Sequence, residues 1–170
     1  MKQFRNLWLM IGLLFSLTLV LSSCDDDDDD GTIAPVDEVA FENIALTGEA
    51  EVQDQPVVTD GSGTLHVFYN METNVIRYNV TWQLGNDADV TTGMHFHGPA
   101  TTSESAEIVI GIPISGSTSG YDEDEPNKGA ISGQTRPLTQ QEEEQFLSGL
   151  WYLNIHSTTY PDGELRGQVD

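Results

Sequence analysis

The chain is organised around residues 94–100, which read Met-His-Phe-His-Gly-Pro-Ala. The first four residues fit a β-strand, because apolar and polar side chains alternate before Gly98-Pro99 ends the pattern. Alternate side chains of a strand point to the same face, so His95 and His97 are predicted to lie side by side. Their Cβ atoms would be about 6.5–7 Å apart, a gap that two imidazole rings can close around one ion.

A second segment, near the end of the sequence, supplies a third histidine. Residues 150–157 alternate between two faces, and the more apolar face is the predicted core face (Trp151, Leu153, Ile155). Residues 160–163, Tyr-Pro-Asp-Gly, predict a turn, since proline is preset for one central position and glycine tolerates positive φ. Residues 164–169 would return as the partner strand. His156 is therefore the candidate third metal ligand beside His95 and His97, with Asn154, Glu164 and Arg166 as candidate supporting residues.

The rest of the globular part also predicts strands, at residues 40–47, 64–69, 75–84, 107–114 and 129–135, and residues 49–52 can continue the first past Gly48. In 75–84 the apolar residues alternate strictly, which suits a sheet with one buried face. A single helix is predicted at 138–150: Thr139 and Glu142 form a capping box, and Gly149 is a plausible stop. His66 is predicted on the outer face of its strand, in a structural role. Short strands with regular turns favour an antiparallel sandwich.

The first 23 residues predict a lipoprotein signal peptide. A basic start is followed by an apolar run at 7–21, too short for a comfortable membrane span of about 20 residues. The run ends in Leu-Ser-Ser-Cys, which resembles a lipobox, and Cys24 is the only cysteine in the chain. Lipidation gives this lone thiol a role that an internal disulfide cannot. The alternative is a signal-anchor helix with an incidental cysteine.

Six aspartates at 25–30 follow directly, so residues 24–38 are predicted to be a lipidated cysteine and a solvated acidic tether. The run resembles acidic signals that send some lipoproteins to the outer face of the outer membrane, although a simple spacer fits equally well. We expect an outer membrane lipoprotein, facing the periplasm or the cell surface. After residue 23 the chain keeps four Lys and Arg against 28 Asp and Glu, a net charge of −24, which argues against nucleic-acid partners.

Residues 39–170 are predicted to form one domain, and about residues 41–170 of it resemble a known family. The segments at 46–48, 56–63, 95–100, 149–156 and 163–169, including His-x-His-Gly-Pro-Ala and Gly-Glu-Leu-Arg-Gly-Gln-Val, follow in the order seen in CHRD domains. The resemblance implies an all-β, immunoglobulin-like or superoxide-dismutase-like antiparallel β-sandwich with one short helix. It implies no agreed activity. The glycine-rich loop that usually follows the Gly-Pro-Ala is replaced here at residues 101–105.

Two interpretations of the histidines stay open. Three neutral imidazoles can bind one copper or zinc ion and leave an open position. Alternatively, the rings hydrogen-bond to backbone carbonyls, to Asn154 or to Glu164 and stabilise the end of the sandwich. The His-x-His strand is similar to that of the copper–zinc superoxide dismutases, but no bridging histidine or zinc-loop ligand set is recognisable. No catalytic residue set stands out, so a binding or interaction module with an unknown ligand is expected rather than an enzyme.

Overall fold

The computed structural model describes residues 37–114, 121–122 and 124–170. The predicted signal peptide and nearly all of the tether lie outside these residues. The described elements are β1 (Glu38–Thr47), β2 (Ser62–Asn70), β3 (Val75–Gln83), β4 (Thr91–His97), β5 (Ile108–Gly111), β6 (Lys128–Gln134), α1 (Gln140–Leu147), β7 (Trp151–Ser157) and β8 (Leu165–Val169). No helix within the described ranges is long and apolar enough to cross a membrane.

The eight strands form one antiparallel sheet in the order β5-β4-β7-β8-β1-β2-β3-β6. The sheet is curled, so strands that are far apart in this order meet across the interior. Tyr78 of β3 packs edge-on against Phe96 of β4, with ring centroids 6.0 Å apart, although four strands lie between β3 and β4 in the sheet. The fold is therefore all-β and sandwich-like, as the sequence predicts.

The core is built from the alternating apolar positions of these strands. The four inward residues of β3 are all buried, as are the three predicted core residues of β7 (Ile76, Tyr78, Val80, Trp82; Trp151, Leu153, Ile155). Phe146 of α1 is fully buried and contacts the rings of Phe41, Tyr69 and Trp151 at 5.5–5.7 Å. The helix thus closes one end of the interior with a single aromatic side chain.

The helix is shorter than predicted, but the predicted capping residues Thr139 and Gly149 flank it. Thr139 is the N-cap, and its side chain and that of Glu142 form the reciprocal capping box. Gly149 adopts a φ of +71°, so it takes the left-handed conformation that ends helices. Residues 138 and 148–150 therefore flank the helix rather than extend it.

Two strand predictions need correction. Residues 49–52 do not continue β1; the chain turns after Gly48, where the Glu51 amide donates to the Gly48 carbonyl at 3.1 Å. The strand predicted at 107–114 is only Ile108–Gly111, with one further bond from the Ile112 amide to the Met94 carbonyl. Pro113 has no N–H to donate, which explains why pairing stops there.

Candidate metal centre

The structure brings the three predicted histidines into one cluster, at the strand pair β4–β7. His95 and His97 lie on the same face of β4, and His156 of β7 is opposite Gly93 in the register. One ring nitrogen from each residue can be chosen so that all three lie within 4.8 Å of one another. The closest contact joins His95 Nδ1 and His156 Nε2, at 3.1 Å. The spacing of two therefore predicted the shared face correctly.

Backbone carbonyls fix two of the three rings. His97 Nδ1 lies 2.9 Å from the Ala106 carbonyl oxygen, and His156 Nδ1 lies 2.8 Å from the Pro161 carbonyl oxygen. A carbonyl can only accept, so each Nδ1 carries the proton and each Nε2 keeps its lone pair. His97 Nε2 is buried and has no hydrogen-bond partner. Two rings are thus held in the tautomer that offers Nε2 to a ligand.

The electrostatic environment favours the neutral form of His95 and His97. Burial lowers the pKa of His95, and the neighbouring His156 and His97 lower it further. Burial also lowers the pKa of His97, against the hydrogen bond to Ala106, and the charge of Arg166 acts in the same direction as burial. Neutral imidazole is the form that binds metal ions. A metal ion would therefore meet less competition from protons at these two rings than at ordinary histidines.

Glycines leave room beside His95. A Cβ atom on Gly93 would lie 3.0 Å from His95 Cε1, and one on Gly111 would lie 3.8 Å from His95 Cδ2. Gly111 is the residue opposite His95 on β5, so no side chain covers the ring from that strand. His95 remains half-buried while His97 is buried. Solvent and small ligands can therefore approach the cluster from the His95 side.

Tyr152 connects the cluster to the buried Arg166. Its ring stacks on His97, with centroids 4.9 Å apart and planes 7° from parallel, and the Arg166 guanidinium carbon lies 3.6 Å from its centroid. Arg166 donates to the carbonyls of Thr101 and Glu104, both at 2.9 Å. Arg166 therefore anchors residues 101–106, the segment that ends in the carbonyl orienting His97.

The three supporting residues hydrogen-bond to loops rather than to the histidine rings. Glu164 does not pair with Arg166: its Oε1 accepts from the Thr59 hydroxyl at 2.6 Å and from the Gly85 amide at 2.8 Å. Instead, Glu51 provides the carboxylate whose charge acts on Arg166. The Glu164 carboxylate binds the loops that contain Thr59 and Gly85 rather than the Arg166 side chain.

Glu51 is a part of this region that the sequence analysis missed. Its Oε1 accepts from Asn154 Nδ2 at 2.7 Å, and burial raises its pKa to about 7. Gly163, with a φ of +131°, lets the two side chains meet, because a Cβ there would lie 2.3 Å from Asn154 Nδ2. Glu51 lies in a turn about a hundred residues from Asn154, so no local sequence pattern identifies the pair.

The family model for the CHRD domain matches residues 43–169. The chain therefore belongs to the CHRD domain family, as the sequence motifs indicate. No curated protein and no solved structure matches the chain significantly. Membership in this family suggests an extracellular binding or interaction module, and the histidine cluster is the best-defined candidate site for such binding.

Proposed function

We propose that this protein is a lipid-anchored, extracytoplasmic binding module that holds one copper or zinc ion with His95, His97 and His156. One observation carries the metal assignment: backbone carbonyls hold two rings with the proton on Nδ1 and the lone pair on Nε2, and one donor nitrogen from each of the three histidines lies within 4.8 Å of the others. Ligating histidines usually donate their other N–H to a carbonyl or a carboxylate in this way.

The distances favour a mononuclear site. Metal–nitrogen bonds of about 2.0–2.1 Å place two tetrahedral ligands roughly 3.3 Å apart. The His95–His156 contact of 3.1 Å already meets this value, and the widest donor separation of up to 4.8 Å needs a shift of about 1–1.5 Å. Rotation of the half-buried His95 ring, beside Gly93 and Gly111, can supply part of that shift.

The site suits binding better than redox catalysis. Three imidazoles leave one position open, so an external ligand can join the metal. Arg166 does not provide a substrate-guiding charge, because its side chain is 1% exposed and donates to the carbonyls of residues 101 and 104. We therefore propose a metal-dependent binding module rather than a dismutase.

Metal uptake by the full chain, purified in detergent and stripped with chelator, tests this function. Equilibrium dialysis against Zn²⁺ or Cu²⁺ followed by elemental analysis is expected to give one tightly held ion per chain. His97→Ala should lose that ion, while His66→Ala, which changes a histidine on the outer face of β2, should keep it. Equal loss from both variants, or loss from neither, would return the cluster to a structural role.

The lipid anchor is supported by residues 21–24, Leu-Ser-Ser-Cys, and by the absence of any other cysteine in the sequence. Cys24→Ser is expected to accumulate as an unprocessed precursor without lipid, because no other thiol can be acylated. Metabolic labelling with palmitate checks this expectation. Label on the Cys24→Ser protein would disprove the anchor without affecting the metal assignment.

A further inference from the structure

A cavity of about 190 Å³ lies where three loops meet at the end of the sheet, and no histidine lines it. Its lining offers oxygen atoms and no imidazole, thiol or cationic side chain (Val58, Thr59, Asp60, Gly85, Asn86, Asp89, Thr159, Tyr160, Glu164). Such a set of carboxylate, amide, hydroxyl and carbonyl oxygens matches the preference of hard divalent cations.

Two of the lining carboxylates are buried in the same unusual way. Asp89 is 5% exposed and Glu164 is 1% exposed. One oxygen of each accepts two hydrogen bonds: Asp89 Oδ1 from the hydroxyls of Thr158 and Thr159, and Glu164 Oε1 from Thr59 and Gly85. The second oxygen of each, Asp89 Oδ2 and Glu164 Oε2, is buried and has no partner.

No cation of the described chain neutralises these carboxylates. Residues 37–170 contain four Lys and Arg. Three of them form ion pairs with Glu38, Glu125 and Glu142, and the fourth, Arg166, donates to backbone carbonyls. Buried carboxylates that lack both a cation and a hydrogen bond on one oxygen are costly, unless an ion from solution completes them.

We infer that this cavity is a Ca²⁺ site, with Asp89 and Glu164 as its charged ligands and Asp60, Asn86 and neutral lining oxygens completing the shell. Ca²⁺ takes six to eight oxygens in flexible geometry, which suits donors from three irregular loops better than the strict octahedron of Mg²⁺. With two buried carboxylates the expected dissociation constant is on the order of 10⁻⁴–10⁻³ M, the range of extracellular modules. The inference does not rest on the histidine cluster.

Calcium binding would join segments 58–60, 85–89 and 158–164, which are far apart in the sequence. The clearest readout is therefore thermal unfolding of the metal-stripped full chain in EDTA and with millimolar Ca²⁺. The native chain should unfold at a higher temperature with Ca²⁺. Terbium luminescence sensitised by Tyr160, which lines the cavity, should rise on adding Tb³⁺ and fall on adding Ca²⁺.

Asp89→Asn and Glu164→Gln keep the shape of each side chain and the oxygen that accepts two hydrogen bonds. Each is expected to weaken Ca²⁺ binding at least about tenfold, while unfolding in EDTA at or above the native temperature, because a buried charge is removed. Asp162→Asn is the matched control: this carboxylate is exposed on the same turn and does not line the cavity. It should respond to Ca²⁺ as the native chain does.

If Asp89→Asn or Glu164→Gln does not fold, Asp60→Asn replaces it, because Asp60 is exposed and also lines the cavity. Weaker Ca²⁺ binding by Asp60→Asn than by Asp162→Asn supports the site. The inference is overturned if Ca²⁺ changes neither native unfolding nor terbium luminescence. It is also overturned if all variants respond equally, since that result assigns the effect to the acidic surface in general.

Discussion

Strands β3 and β7 have the same alternating sequence pattern, but the outer face of β3 is exposed and that of β7 is largely buried. Every second residue of β3 is exposed on the outer face (Arg77, Asn79, Thr81, Gln83), whereas β7 is buried on both faces except at the half-buried His156. The difference comes from two loops: residues 48–53 and 99–107 cover the outer face of β7 and place polar groups on it. The histidine cluster therefore lies in the part of the sheet where the polar outer face of β7 is buried.

The largest expected difference is between Arg77 of β3 and Arg166 of β8, which lies beside β7 and packs on its Tyr152. Arg166→Met removes the two hydrogen bonds that the buried guanidinium donates to the carbonyls of Thr101 and Glu104, so we expect a loss of about 3 kcal/mol or more in the free energy of unfolding. Arg77→Met removes a side chain that is 57% exposed and should cost less than about 1 kcal/mol. Urea unfolding measures the loss in free energy of unfolding for each variant. Similar losses would show that the buried Arg166 contributes no more to stability than the exposed Arg77.

A matched pair of asparagines should give a smaller difference. Asn154→Ala removes the buried donor to Glu51, which we expect to cost about 2 kcal/mol. Asn79→Ala removes an acceptor for the exposed Ser132 hydroxyl on β3 and should cost less than about 0.5 kcal/mol. Chemical denaturation at pH 6 compares them. A loss from Asn79→Ala as large as that from Asn154→Ala would contradict the comparison.

The smallest effect depends on pH. The pKa of Glu51 is about 7 in the folded chain against 4.5 for an ordinary glutamate, so between these values the folded state holds a proton that the unfolded state releases. The contribution of Glu51 to stability is therefore greatest at low pH and is lost as the pH rises toward 7. Glu51→Gln stays neutral, so we expect it to gain about 1–2 kcal/mol over the native chain between pH 5 and pH 8.

The control for this variant is Glu49→Gln, which changes an exposed carboxylate in the same turn. Urea unfolding in EDTA at both pH values isolates the effect from metal binding. Glu49→Gln should follow the native chain at both. If Glu51→Gln also follows it, the buried carboxylate is not the source of the pH dependence.

These pairs also show what the sequence could predict. Alternation identified the inward residues of β3 and β7, and the capping box at Thr139 located the helix, because both signals are local. The spacing of His95 and His97 placed two members of the cluster for the same reason. Local patterns predict only the direction of a side chain. Whether an outward side chain is exposed to solvent depends on loops that are distant in the sequence.

Tyr152 and Arg166 illustrate that limit. Both point outward by alternation, and both are buried, at 3% and 1% exposed, because residues 101–106 lie over them. The carboxylate whose charge acts on Arg166 belongs to Glu51, in a turn with no periodic signal, and not to Glu164, which lies two residues away in the sequence. Alternation places such polar residues on the outer face, and no local pattern indicates that a loop will cover them.

The turn between β7 and β8 contributes to both proposed sites. Its Pro161 carbonyl orients His156, and its Thr158 and Thr159 hydroxyls orient Asp89. An ion that restricts this turn at one site would lower the entropy cost of ordering it at the other. The coupling would be reciprocal, so calcium would raise the affinity for the transition metal by the factor by which the transition metal raises the affinity for calcium. A module built this way would report the combination of two ions rather than either alone.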